Sequence, residues 1–406
     1  MSIIRESISI FRNVRKIGGV SRVYLALTFL TMFGKSIIEA NYVVFLLSRG
    51  LSYGDVGLIL SVYFLTWAVL SFPLGVAADR YGRKLAFVTS VLLHGTGLLL
   101  YAFSVNFFQF LVAEILIAVA SALGGNVLLS WYIDEARVRG LQDEVKHVMG
   151  LAKIVSAIAL LLAGVSATVL VAFCQVLTFL VGGITLYLTA VLACELLRES
   201  YRSASRSVCY HYLSIVKDTA RLLIRNTPLL LLMLGSLLVT PLQAAFLYSW
   251  QILVSSLSGY MPILGMTYIL LTLVMMFSGT FYLLLVKIVK DITKVTVLCT
   301  AVIITISVLL SLCNTLAVLI VLLMLFKLWS STYGTAYIFW FNELVNTSVR
   351  TAVNSLRNTL NYIVMAISLY FIGVVAEHAG ISTTFLITSI SGVAALPLLL
   401  LARKRN

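Results

Sequence analysis

The amino-acid sequence predicts an all-α integral membrane protein, with twelve transmembrane helices in two pseudo-symmetric bundles of six. Three observations carry that expectation. The 406 residues are 61% hydrophobic and only 11% charged, against roughly 45–50% and about 25% in soluble domains. A water-soluble fold of this composition would expose large apolar patches. The apolar residues also gather into runs of about 20, the length a helix needs to cross hydrocarbon. Finally, the 29 Lys and Arg side chains fall almost entirely on alternate connections between those runs.

In chain order the apolar windows are 23–47, 55–78, 85–104, 107–131, 148–172, 175–197, 228–252, 263–286, 295–313, 315–341, 352–376 and 382–402. They are helices because a lipid-exposed backbone must satisfy its own hydrogen bonds, and the alternation of barrel strands is missing. Residues 1–22 form a basic cytoplasmic segment, where Ile4, Ile8 and Phe11 interleave with Arg5, Arg12 and Arg15. That pattern fits an interfacial helix or a disordered basic arm equally well. The first run is a span and not a signal peptide, because Lys35 and Glu39 interrupt it and no small-residue cleavage site follows. The first bundle covers 23–197 and the second 228–402, joined by a polar cytoplasmic loop over 198–227 and followed by a tail over 403–406. Within the loop, Leu213, Val216, Ala220 and Ile224 lie opposite Lys217, Arg221 and Arg225, as in a helix resting on an anionic leaflet.

Counting the N-terminus, every second loop and the C-terminus as one face collects 25 of the 29 basic residues. The positive-inside rule puts that face, with both termini, in the cytoplasm of a multi-pass cell (plasma) membrane protein. The net charge of +14 is therefore a topology signal and no nucleic-acid footprint. The five cysteines show no paired or metal-type spacing. Both halves share a pattern at the end of their fourth span: Gly125-x5-Trp131-x2-Asp134 and Gly334-x5-Trp340-x2-Glu343. This matched position points to an ancient parallel duplication.

The loop after the second span reads Gly75-Val-Ala-Ala-Asp79-Arg80-Tyr81-Gly82-Arg83-Lys84. It resembles the signature loop of the major facilitator superfamily, G-x-x-x-D-R-x-G-R-[RK], and the twelve-span, 6+6 topology resembles that family over the whole chain. Gly82 suits a tight turn and Gly75 a close helix approach. The resemblance implies that Asp79 engages the other half near the start of the eleventh span, with Arg350 or Arg357 at hand. It implies that Arg83 meets an acid at the end of the fourth, Asp134 or Glu135, and that such contacts favour the inside-closed state. In the matching second-half loop only the basic Lys290 and Lys294 stand out, without the glycines or the spaced Asp. Efflux-type members, and more weakly the proton-antiporting drug exporters, resemble segments such as Arg350-Thr-Ala-Val-Asn-Ser-Leu and Leu197-Arg-Glu199-Ser. The Arg often seen in span 4 of exporters is here Glu114, and span 5 lacks the usual proline.

A charge at a helix centre costs about 2.5–3.5 kcal/mol on insertion scales, so intramembrane ionisable residues are functional candidates. These are Lys35 and Glu39 in span 1, Glu114 in span 4, Lys153 in span 5 and Lys327 in span 10. The resemblance implies that spans 1, 4, 7 and 10 line a central cavity, which all but Lys153 would reach. Glu39 and Glu114 share a depth, an arrangement that suits a proton carrier; the alternative is a static Lys35–Glu39 pair at i,i+4. Gln243 on span 7 and Tyr337 on span 10 extend the expected solute and proton pathway. Span 11 carries Asn354, Asn358 and Asn361 on one stripe, for inter-helix bonds or for solute, and His94 reads as a packing residue.

The expected protein is thus a secondary transporter of a small solute, with protons as the candidate coupling ion, seated in the bilayer and acting as a monomer without cofactor or metal. A facilitator-fold sensor that binds without transporting is the alternative. An integral-membrane enzyme finds no convergent nucleophile, paired His or H-E-x-x-H in any span. Midplane lysines favour an anionic or zwitterionic solute and the carboxylates a cation or proton, so the substrate class stays open.

Overall fold

The computed structural model describes residues 18–199, 226–345 and 349–404. The two amphipathic basic segments expected at 4–15 and 213–225 lie outside these residues. The described chain is helical throughout, and its helices follow the hydropathy windows one for one.

The first half contains α1 (Gly19–Ser36), α2 (Tyr42–Ser48), α3 (Tyr53–Tyr81), α4 (Arg83–Phe103), α5 (Phe107–Gly124), α6 (Val127–Val138), α7 (Gln142–Phe173) and α8 (Val176–Leu196). The second contains α9 (Thr227–Ser258), α10 (Ile263–Val289), α11 (Ile292–Ser311), α12 (Leu316–Leu344), α13 (Arg350–Ala379) and α14 (Ile381–Lys404). Two spans are broken. Span 1 consists of α1 and α2 around a turn at residues 37–41, and span 4 of α5 and α6 around Gly125, whose φ of −1° and ψ of −105° stop the helix. Counting each broken pair once makes twelve spans.

Helix starts are capped in the short loops. The Asp55 amide donates to Ser52 Oγ at 3.1 Å and the Ser52 amide to Asp55 Oδ2 at 3.0 Å, a reciprocal cap on α3. Asn106 caps α5 through the Gln109 amide, and Asn226 caps α9 through the Leu229 amide. Around the bundle the outward side chains are large and apolar: Phe108, Phe173 and Ile288 are 73%, 80% and 75% exposed. Such a surface belongs in lipid, where its exposure costs nothing.

The halves meet chiefly along two helix pairs, α3 with α13 and α7 with α10, with a smaller contact of α2 against α9. Their closest approaches lie toward the face opposite the basic loops, termed the far face below. A Cβ added at Gly57 would stand 2.8 Å from Gly373 Cα, and one at Gly265 would strike the Thr168 hydroxyl and backbone. Toward the basic face, Gly75, Gly150, Gly279 and Gly334 have nothing within 4 Å of such a Cβ. The close approach expected at Gly75 is therefore not made here.

The loop between α3 and α4 is tied into its own half. Gly82 holds a φ of 105°, a conformation that L side chains rarely adopt. Arg83 forms ion pairs with Asp134 and, at 3.6 Å, with Asp79. The Lys84 amide donates to Glu199 Oε1 at 2.6 Å and its ammonium to the Cys194 carbonyl at 2.5 Å. Glu135 pairs with Arg139 at 2.8 Å, and Asp134 with Arg83. Arg350 donates to the Asn342 carbonyl and Arg357 to Asn358 Oδ1, both within the second half. Arg80 lies over its neighbour Tyr81.

The matching second-half loop is not purely basic. Asp291 caps α11 through the amides of Thr293 and Lys294 and pairs with Arg403 at 3.2 Å. Desolvation alone would raise this carboxyl, but those hydrogen bonds and the Arg403 guanidinium hold it below its usual range. The repeated Gly–Trp–acid pattern also diverges. Trp131 donates to the Arg198 carbonyl at 2.9 Å, whereas Trp340 Nε1 is buried with no partner among the described residues. Gly334, unlike Gly125, sits inside a continuous helix.

Replacing Gly82 by Ala forces a side chain into a left-handed backbone and to within 2.7 Å of Glu199 Oε2. The expected cost is about 1–2 kcal/mol, read as a lower melting temperature of the purified protein. An unchanged melting temperature would show that the turn does not require glycine.

Candidate functional site

A cavity of 790 Å³ lies where the halves face each other near the membrane centre. Spans 1, 2, 4, 7, 8 and 10 supply most of its wall, including Lys35, Glu39, Glu114, Gln243 and Lys327. Five of the six pathway residues expected from sequence are thus brought together. Tyr337 is not; it lies ten residues beyond Lys327 on α12, about 15 Å toward the basic face. There its hydroxyl accepts from Ser236 Oγ at 3.1 Å and its ring lies 5.6 Å from the Arg357 guanidinium. Lys153 is exposed on α7 and is not among the residues that line the cavity.

The two carboxylates are held by different tyrosines. The hydroxyls of Tyr42 and Tyr101 converge on Glu114 Oε2 at 2.9 and 2.6 Å and stand 2.7 Å apart. Glu114 itself is only 4% exposed. Glu39 opens to the cavity and accepts from Tyr268 on α10 at 3.0 Å and from Ser36 at 3.5 Å. The static Lys35–Glu39 pair is not formed. The helix ends at Ser36, so the i,i+4 geometry that would align the two side chains is lost.

That helix break is mended from the opposite half. Gln251 on α9 accepts from the amides of Val43 and Val44 at 2.9 and 3.4 Å and donates to the Glu39 carbonyl at 2.8 Å. One side-chain amide therefore serves both orphaned ends of the span-1 backbone. Further contacts close the far face: Tyr248 donates to the Tyr53 carbonyl at 2.6 Å, and the Gly54 amide donates to Glu377 Oε2 at 2.7 Å. Below them Trp67 and Tyr362 stack across the seam with centroids 4.4 Å apart.

Sequence reading missed Gln251, Tyr101, Tyr268 and Glu377. Gln251 lies eight residues beyond Gln243 on span 7, and Glu377 sits near the end of its span. Neither tyrosine differs in sequence from the other seventeen of the chain's 19. Of the span-11 asparagines, Asn361 accepts from Thr240 at 2.7 Å, an inter-helix bond. His94 lines the cavity with its Nδ1 buried and unpartnered among the described residues, which differs from the satisfied packing role expected.

Comparisons with known proteins agree with this architecture. A sequence model of the Major Facilitator Superfamily matches residues 24–293. An uncharacterised MFS-type transporter of Methanocaldococcus jannaschii is 30% identical over 95 residues, 23% of this chain and only about a quarter of that relative's length. Among solved structures, a mutant of the nucleoside transporter NupG superposes with a TM-score of 0.81 at 12% identity, covering 94% of this chain and 99% of that one. A bacterial homologue of the human lysosomal transporter Spinster, in an inward-facing and unoccupied conformation, gives 0.73 at 13% identity, covering 95% and 96%. At such identities the likeness is one of fold.

Two substitutions probe the far-face seal. Gln251→Leu leaves buried backbone groups of span 1 unpaired, at an expected cost of about 1–3 kcal/mol in thermal stability. Gly57→Val should push α3 and α13 apart by about 1–2 Å at the far face, measurable as a longer distance between spin labels near residues 54 and 377. Unaltered distances would mean that the glycine contact does not set the seal.

Proposed function

The chain belongs to the major facilitator superfamily, and on that premise we propose that it is a secondary transporter moving a small solute by alternating access. The observation that carries the reading is the cavity between the halves, closed toward the far face by the contacts of Gly57, Tyr248 and Gln251. With the basic face cytoplasmic by the positive-inside rule, this is the inward-facing state in the plasma membrane. The opposite state would bring the separated glycines of the basic face together. It would move Asp79 from Arg83 toward Arg350 or Arg357, so that Gly75, Arg80, Gly82 and Lys84 frame a cytoplasmic gate.

Protons are the coupling ion in this reading, with export as the direction favoured by the efflux-like segments. Glu39 is the carrier, because it faces the cavity and also touches the far-face seal. Its side chain bonds to Tyr268 and its carbonyl to Gln251, so a proton on the carboxylate bears directly on the contact between halves. Glu114, enclosed by Tyr42 and Tyr101, serves as a fixed acceptor that orders span 4.

In proteoliposomes carrying a pH-sensitive dye, solute-driven proton movement should fall at least about tenfold in Glu39→Gln, while solute exchange without a pH gradient persists. Unchanged proton movement in Glu39→Gln would remove it as carrier. Solute binding without any flux in the unsubstituted protein would favour the sensor over the transporter. Separately, Asp79→Asn should raise the share of molecules open to the basic face, read from cysteine labelling on each side of the membrane.

A further inference from the structure

We infer that the cavity binds an amphipathic organic anion, its charged group drawn to the unpaired ammonium groups of Lys35 and Lys327 and its apolar body against the aromatic wall. The inference rests on the reading of this cavity as the solute site. It follows from which of the charges there are already satisfied.

Both carboxylates have donors. Glu114 accepts from two tyrosine hydroxyls, and Glu39 accepts from Tyr268 and Ser36. The two ammonium groups have no acceptor. Among the described residues, neither Lys35 nor Lys327 forms an ion pair or a hydrogen bond. Lys327 Nζ stands 5.8 Å from the centroid of the Phe246 ring. An ammonium offers three donors and accepts nothing, and a half-buried charge without a partner inside the membrane is costly. A ligand that brings an anionic group relieves that cost, whereas a cation would have to compete with tyrosines for carboxylates already engaged.

Position strengthens the point. Lys35 belongs to the first half and Lys327 to the second, and both line the one cavity. A ligand in it can therefore meet an unpaired cation from either half. The remaining wall supplies the apolar surface. Phe246 and Phe326 stack with centroids 4.7 Å apart and planes 3° from parallel, and Phe64, Trp67 and Trp250 also line the cavity. A volume of 790 Å³ lies in the range that encloses organic molecules and far exceeds what an inorganic anion fills.

The test uses three probes of one shape: 2-naphthoate, 2-naphthamide and 2-naphthylmethylammonium. Each is titrated into the purified full-length protein, with tryptophan fluorescence and melting temperature as readouts. Naphthoate should bind saturably, and at least about tenfold more tightly than the amide or the ammonium. Lys35→Gln and Lys327→Gln should each weaken naphthoate binding by about tenfold or more, while Lys35→Arg and Lys327→Arg retain it. The arginine variants keep the test decisive if a glutamine variant fails to fold. Tighter binding of the ammonium, or naphthoate binding indifferent to both lysines, overturns the proposal. Lysine-dependent naphthoate binding without flux in proteoliposomes would sustain it and refute transport. Flux of a cationic solute would do the reverse.

Discussion

Hydrocarbon offers no hydrogen bonds, so a chain that crosses it can interrupt a helix only where protein supplies the missing partners. Span 1 is interrupted between Ser36 and Tyr42, and the partner is a single glutamine from the other half of the molecule. Gln251 closes the backbone circuit at the Glu39 carbonyl and at the amides of Val43 and Val44. The repair has a mechanical consequence. The halves cannot part at the far face without exposing those backbone groups, so the state of the seal and the geometry around Glu39 are one property.

Around that point the far-face closure is built from surfaces without side chains. Gly57 meets Gly373, and Gly265 meets the Thr168 backbone, at distances only a bare Cα allows. Dispersion between helices, the main attraction left when lipid is as apolar as leucine, grows steeply with such proximity. Toward the basic face the corresponding glycines stand open, while Arg83, Asp134, Lys84 and Glu199 bind the signature loop to its own half. One side of the molecule is closed by close packing, and the other has its charges engaged locally.

The cavity between them concentrates most of the ionisable groups that the composition permits inside the membrane. Tyrosine hydroxyls answer the carboxylates, and nothing in the described structure answers the lysines. The net effect is a chamber whose unmet demand is for negative charge, walled by stacked aromatic rings.

Much of this was legible in the sequence. Twelve windows, the one-sided cations and the ionisable residues inside spans follow from hydropathy and spacing, since a bilayer imposes length and polarity one segment at a time; the signature loop and the cavity positions of Lys35, Glu39, Glu114, Gln243 and Lys327 follow from the family resemblance. Tyr337 was misplaced because a helical face says nothing of depth relative to a cavity. The Lys35–Glu39 pair failed because periodicity assumes an unbroken helix, and span 1 carries no proline to signal its turn. What only the tertiary structure decided was partnership: that Gln251 mends span 1, that Tyr42, Tyr101 and Tyr268 hold the carboxylates, and that Gly57 finds Gly373. Those contacts join residues more than 100 positions apart or on opposite halves in most cases, and no local pattern encodes which of many tyrosines or glycines will meet. The sequence alone determined how the chain lies in the membrane; packing determined which of its buried charges still await a partner.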